Sequence, residues 1–247
     1  KVSKSDCLNY RPVSLTYILC KLLERIIKEI TITQLMENKW FNVTQHGFSK
    51  NKSTVSNLIY FYDAVSEEMD HGNPVDIFYF DFAKAFDTVP HSKLLTKLKN
   101  LNLDEKMVKW IQDYLRDRVQ RVIIRGVQSE WLEVYSGVPQ GSVIGPILFL
   151  IYINDIHDEI ESKLNIFADD TKMMNRVGDE EGRSEVERDL KRLEQWCEKN
   201  GMKLNLEKCC VMHCGKNNMK KNYKMFDKLL RKTECEKDLG ILVNPDM

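Results

Sequence analysis

FYFDFAKAFDTV, residues 78–89, sets a carboxylate among aromatic rings. The apolar run from Val75 to Phe82 is of strand length and broken only by acids, which predicts a buried β-strand with Asp81 near its end. Burying a carboxylate there is costly unless it is paired or binds a cation. Taken alone, Asp81 also reads as an ordinary strand-end acid. Further on, NIFADDTKMM (165–174) has two short apolar halves about Asp169-Asp170, which predicts a hairpin with adjacent carboxylates at its tip. An Asp-Asp pair is more often a plain turn than a metal site. Three carboxylates brought together would suit Mg2+, a hard cation that takes oxygen ligands and leaves positions for substrate phosphates.

Outward from these two segments the pattern is mixed. Apolar residues recur at helical spacing from Leu15 to Met36 (Ile18, Leu22, Leu23, Ile26, Ile27, Ile30). Gln45 to Thr54 reads as a polar, basic loop, after which Ser53 or Thr54 caps a helix through Leu58, Ile59 and Tyr62. Pro90 suits a first helical turn, and Asp87 before it reads as an N-terminal cap. Asp104 is the expected cap of a helix with Met107, Val108, Ile111 and Leu115 on one face. Residues 119–125 and 131–135 flank Gly126-Val127-Gln128-Ser129 as a hairpin. Glu185 to Lys199 is amphipathic, and Asn200-Gly201 supplies a left-handed stop. Helices and antiparallel hairpins without regular alternation indicate an α+β fold.

The chain has 247 residues with 37 basic and 37 acidic side chains. Neutrality argues against a nucleic-acid binder only if charge is evenly spread. It is not: residues 61–90 carry one positive and seven negative charges, and residues 146–200 carry eight and fourteen. The remaining blocks are net positive. With a Debye length of about 8 Å, a ligand meets the block and not the total. Basic flanks around acidic segments suit a phosphate-binding, cation-dependent site, although most of these charges simply solvate the surface. No apolar run reaches membrane-spanning length. Seven irregularly spaced cysteines without a signal peptide fit free thiols in a reducing compartment. Cys209, Cys210, His213 and Cys214 lack a second spaced pair, and buried thiols suit them better than zinc.

SGVPQGSVIGP (136–146) is the third element. Its glycines let backbone approach a ligand closely, and the Gln140 amide both donates and accepts. On its own it is also simply a loop before a buried helix.

Taken in order, DFAKAFD (81–87), SGVPQGS (136–142) and FADD (167–170) resemble the palm motifs of reverse transcriptases. NYRPVSL (9–15), QHGF (45–48), RVQRV (118–122), LNLEKC (204–209) and EKDLGILV (236–243) extend the match across nearly the whole chain. The set is similar to the reverse transcriptases of non-LTR (LINE-like, jockey-type) retrotransposons. QHGF and KDLG favour that class over group II intron enzymes.

The resemblance implies a right-hand polymerase architecture: fingers over 1–74, palm with an antiparallel sheet packed on helices over 75–215, and the end of the palm with an incomplete thumb over 216–247. It implies RNA-templated DNA synthesis with two Mg2+ ions (Mn2+ as a substitute), and as partners an RNA template, a DNA primer or nicked target DNA, and dNTPs. It makes Asp81, Asp169 and Asp170 the metal ligands, joined by the backbone carbonyl of Phe82. Phe86 corresponds to the aromatic beneath the sugar that selects deoxynucleotides, and reads equally as core. Gln140 and Gly141 correspond to the loop facing template and nucleotide, Lys208 to a lysine near the triphosphate, and Arg11 to the fingers arginine. After QHGF the family often has arginine; here Ser49-Lys50-Asn51-Lys52 follows, so Lys50 and Lys52 would meet phosphate as point charges without a bidentate fork.

The chain opens on Lys1 and stops at Met247, and is expected to be a piece of a longer protein. Intracellular work, in nucleus and cytoplasm, is a further implication of the family. The competing expectation is a decayed or co-opted element fragment that binds RNA or a protein partner without polymerising. Three intact aspartates favour the enzyme.

Overall fold

The computed structural model describes residues 13–38, 40, 47 and 52–246. In chain order its elements begin with α1 (Ile18–Glu37), α2 (Thr54–Asp70), β1 (Val75–Asp81), α3 (Ala85–Thr88), α4 (His91–Lys99) and α5 (Glu105–Leu115). Four short strands follow, β2 (Val119–Gln120), β3 (Ile123–Ile124), β4 (Val127–Gln128) and β5 (Leu132–Glu133). Then come α6 (Gly145–Ile153), β6 (Lys163–Phe167), β7 (Asp170–Arg176), α7 (Glu180–Asn200) and β8 (Cys210–Cys214). The last strands are β9 (Lys224–Met225), β10 (Lys228–Leu229), β11 (Arg231–Lys232), β12 (Glu236–Asp238) and β13 (Ile241–Val243). Among the described residues, no helix is long and apolar enough to cross a membrane.

The chain divides into two compact units, each made of two segments. One comprises residues 41–85 and 153–247. Its centre is a five-stranded sheet in the order β11-β8-β1-β7-β6. β1 pairs antiparallel with both neighbours, and β11 joins β8 in parallel. Central position explains why β1 is apolar on both faces. On one face Val75 and Ile77 pack with Phe61 and Val65 of α2, Met174, Met212, Cys214 and Val243. On the other, Asn175 donates to Glu185 at the start of α7 (2.8 Å). The capping reading of Ser53 holds: its hydroxyl accepts from the Ser56 amide, and the Ser56 hydroxyl accepts in return from the Ser53 amide. Gly201 ends α7 at φ 68°, as the Asn-Gly pair predicts.

The second unit comprises residues 1–40 and 86–152. α6 is apolar on every side, and Ile147 to Tyr152 are all buried. Asp104 caps α5 through the amides of Lys106 and Met107, and Met107, Val108, Ile111 and Leu115 are buried. The expected hairpin is a ribbon of two ladders, β2 with β5 and β3 with β4, turning at Arg125-Gly126. Both turn residues have positive φ (49° and 84°), the combination that a two-residue hairpin turn requires.

One local expectation needs correction. Asp87 is not a cap: it lies within α3, and Pro90 holds the N-cap position of α4. Pro90 suffices there because its fixed φ presets the helix start. The helix expected from the apolar spacing between Leu15 and Met36 is present as α1, but most of those apolar residues are not buried. Ile18, Leu22, Leu23, Ile26 and Ile30 are exposed, while Glu24, Thr31 and Leu35 are buried. Glu24 is held inside by partners far along the chain, accepting from the Val143 and Ile144 amides (2.6 and 3.2 Å) and the Tyr114 hydroxyl (3.2 Å). Those amides lie immediately before α6 begins at Gly145, so a buried carboxylate sits beside the positive end of a helix.

Candidate functional site

Asp81 is the last residue of β1, and Asp170 is the first of β7. They are direct partners in the antiparallel ladder, so both side chains leave the same face of the sheet. Asp170 also pairs with Phe167 across the hairpin, whose turn is Ala168-Asp169. The expected two-sided tip is thus present, with Asp169 in the turn and Asp170 opening the strand. Ala168 takes φ 58° to close it. Gly47, from the QHGF stretch, lies against this turn: a Cβ built on it would be 2.4 Å from the Ala168 nitrogen.

The LNLEKC stretch completes the end of β1. Leu204 bridges Phe82, the Ala83 amide donates to the Lys203 carbonyl (2.8 Å), and the Asn205 amide donates to the Asp81 carbonyl (2.7 Å). The Asn205 carbonyl then accepts from the Lys208 and Cys209 amides (2.9 and 3.1 Å), closing a tight turn. That turn delivers the Lys208 ammonium to the Asp81 carboxylate, 3.2 Å from Oδ2 and 3.4 Å from Oδ1. The Phe82 ring is buried against Trp196 (centroids 6.1 Å apart).

Asp81, Asp170 and Lys208 line one cleft with Asn57, Tyr79, Lys172 and residues 236–239 of the EKDLG stretch. Behind it lies a buried polar network that the sequence reading missed. Lys172 pairs with Asp238, and both side chains are almost fully buried. The Tyr62 hydroxyl donates to Asp238 (2.6 Å) and meets the Tyr79 hydroxyl (3.0 Å). Burial and the neighbouring carboxylate push the Tyr62 hydroxyl far above its ordinary range. Burial lowers the Lys172 ammonium, and Asp238 opposes that shift. The one available signal was a lysine at an inward position of a buried strand, two residues past Asp170.

Beside its lysines, the side chains of the cleft that could ligate a metal, such as Asp81 and Asp170, offer oxygen, which suits a hard divalent cation. Among the described residues, no three His, Cys, Asp or Glu side chains stand close enough to enclose a metal ion. Mg2+ rarely has an all-protein cage and is usually held by one or two carboxylates with phosphates and water. The Lys208 ammonium stands in for such a cation at Asp81. The residues therefore fit.

The other predicted residues fall elsewhere. Arg11 and Lys50 lie outside the described residues, and Lys52 is half-buried just before α2. Phe86 and the loop of Gln140 and Gly141 belong to the second unit. Phe86 is buried and stacked on Phe149 (4.5 Å), so its core role is real. The Gln140 carbonyl accepts from the Ser14 amide (2.6 Å), tying this loop to the residues that follow NYRP. Gly137 at φ 91° lets the loop pass the backbone of Asp87, where a Cβ would meet the carbonyl oxygen at 2.7 Å. The four cysteines at 197, 209, 210 and 214 are buried, as expected of thiols in the core.

Comparison with known proteins agrees on one family. A family model for the reverse transcriptase (RNA-dependent DNA polymerase) matches residues 2–241. The RNA-directed DNA polymerase from mobile element jockey of Drosophila melanogaster is 28% identical over 250 residues, covering 97% of this chain and 27% of that protein. The probable RNA-directed DNA polymerase from transposon BS, also of Drosophila melanogaster, is 29% identical over 210 residues, covering 81% and 23%. This chain thus spans about a quarter of the length of these relatives. Among solved structures, apo telomerase from Candida tropicalis, truncated from its C-terminal domain, superposes with a TM-score of 0.61 at 12% identity, covering 92% of this chain and 44% of that one. Telomerase from Candida albicans, in complex with the TWJ fragment of telomeric RNA, gives 0.59 at 14% identity, covering 90% and 38%. The shared fold is the right-hand polymerase architecture.

Proposed function

The chain belongs to the reverse transcriptase (RNA-dependent DNA polymerase) family, and we propose that it is the polymerase core of a non-LTR, jockey-type retrotransposon, extending a DNA primer on an RNA template. The observation that carries this reading is the pairing of Asp81 with Asp170 across β1 and β7, beside an ammonium at Asp81. Two carboxylates set opposite each other repel unless positive charge lies between them.

In the proposed reaction a primer 3′-hydroxyl attacks the α-phosphorus of a dNTP, and pyrophosphate leaves. Two Mg2+ ions, held by Asp81, Asp169, Asp170 and the Phe82 carbonyl, would activate the hydroxyl and neutralise the leaving oxygens. Lys208 neutralises charge on the departing pyrophosphate, or gives it a proton. Phe86 lies beneath the sugar, Gln140 and Gly141 face the template and nucleotide, and Arg11, Lys50 and Lys52 contact phosphates. In this reading residues 1–74 are fingers, 75–215 palm, and 216–247 lead towards the thumb. RNA template, primer or nicked target DNA, and dNTPs are its partners, and the work takes place inside the cell, in nucleus and cytoplasm.

The test is incorporation of dNTPs on an RNA template with Mg2+, comparing the chain extended at both ends with its Asp169→Asn variant. Incorporation that Asp169→Asn abolishes supports the reading. No incorporation by the parent, or a variant as active as the parent, refutes it.

A further inference from the structure

RVQRV (118–122) opens the ribbon of β2 to β5, and the proposed reaction gives it no task. Every residue from Val119 to Glu133 is exposed. A two-stranded ribbon is marginal by itself, and exposed apolar and aromatic side chains on one mark a surface that meets a partner. Its charges narrow the choice of partner. Between Lys109 and Lys163 the chain has no lysine, and its positive side chains there are Arg116, Arg118, Arg121 and Arg125. Arg116 pairs with Asp117 (3.1 Å). Among the described residues, Arg121 and Arg125 form no ion pair.

The Arg121 guanidinium lies over the ring of Trp131 (4.5 Å), which is 56% exposed. At the root of the ribbon, Arg118 lies over Tyr114 (5.7 Å), itself stacked on Trp110 (5.2 Å). Arg125 stands at the tip, in the turn. A guanidinium presents a planar fork that matches phosphate and also stacks on aromatic faces. An accessible indole stacks on an unpaired base, whereas in a duplex the base faces are already covered by their neighbours. An acidic peptide would satisfy the arginines but offers no ring to the indole. We infer that the ribbon binds single-stranded nucleic acid, with Arg121 and Arg125 on phosphates and Trp131 stacked on a base. The ribbon belongs to the unit of α4 to α6 and Asp81 to the other, so this contact is additional to those of the proposed reaction. The inference rests on the reading of the chain as a nucleic-acid enzyme.

The experiment is fluorescence anisotropy of a labelled single-stranded oligonucleotide, as RNA and as DNA, and of a blunt duplex, titrated with the full 247-residue chain at several salt concentrations. Circular dichroism follows folding. Arg121→Gln with Arg125→Gln weakens single-strand binding about tenfold and lowers the slope of log affinity against log salt by about 1.4, at roughly 0.7 for each phosphate contact. Trp131→Ala weakens single-strand binding about tenfold, leaves that slope unchanged and leaves duplex binding within about twofold of the parent. Lys99→Gln with Lys106→Gln removes the same charge from exposed positions of α4 and α5, and changes binding by less than about twofold. Weakening on the RNA alone, on the DNA alone or on both supports the inference and says which strand the ribbon takes. Parent-like binding by either folded ribbon variant overturns it, as does equal weakening by the lysine control or equal weakening of the duplex by Trp131→Ala. Should Trp131→Ala not fold, the salt slope of the arginine variant decides. If the parent binds no oligonucleotide, the nucleic-acid reading of the chain itself fails. If the parent binds and the ribbon variants match it, the role of the ribbon alone fails.

Discussion

Asp81 and Asp170 oppose each other in register across the β1–β7 ladder. Like charges placed so destabilise a sheet, and the exposed Lys208 ammonium offsets this by less than about 1 kcal/mol. Removing the Asp170 charge takes away one of the two opposed carboxylates. Asp170→Asn should leave thermal stability unchanged or raise it, while abolishing incorporation. A melting curve on the variant checks this, and a marked drop in stability would show that Asp170 has a structural task instead.

Gly47 has no room for a methyl group beside the Ala168 nitrogen. Gly47→Ala should displace the turn that carries Asp169 and cost about 1–3 kcal/mol. Because small displacements of reacting groups are expensive, incorporation should fall by roughly tenfold or more. Urea unfolding and an incorporation assay on the same preparation separate the two effects.

Glu24 ties α1 to the start of α6 and to Tyr114 of α5. Glu24→Ala leaves two amides at that helix start without their acceptor, at a cost of about 2–4 kcal/mol. Tyr114→Phe removes one bond and should cost about 1 kcal/mol. Equilibrium urea unfolding reads both. Burial pushes the Tyr114 hydroxyl up to about 12, which a spectrophotometric tyrosine titration of the parent and Tyr114→Phe would register.

Burial raises the thiol of Cys209 to about 11, and those of Cys197, Cys210 and Cys214 to about 12, from an ordinary 9.0. In the unfolded chain they ionise near pH 9. Their stabilising contribution is therefore complete below about pH 9 and lost as pH rises towards about 12. Denaturation midpoints at about pH 8 and about pH 10 should differ in that direction. Cys20 and Cys235 are exposed, and should react with a thiol reagent at neutral pH well before the four buried cysteines do.

Features written in short stretches of sequence were readable. The aromatic run around Asp81, the caps at Ser53 and Asp104, the stop at Gly201 and the Asp169-Asp170 hairpin all depend on neighbours within a few residues, and all appear. What could not be read depends on distant partners. Glu24 on a helix of apolar residues looks like a solvated charge until Val143 and Ile144 are placed beside it. The Lys172–Asp238 pair joins residues from a central strand and a late hairpin, and periodicity carries no trace of it. Asp87 shows the opposite error, in which a favourable local signal lost to a better-placed Pro90.

The most direct test of the account is a single-turnover measurement of one dNTP added to a primer on an RNA template, made with the parent, Asp81→Asn and Asp170→Asn under saturating Mg2+. The account predicts that each variant, while folded, loses at least about a hundredfold in rate. Either variant extending the primer at the parent's rate would contradict it.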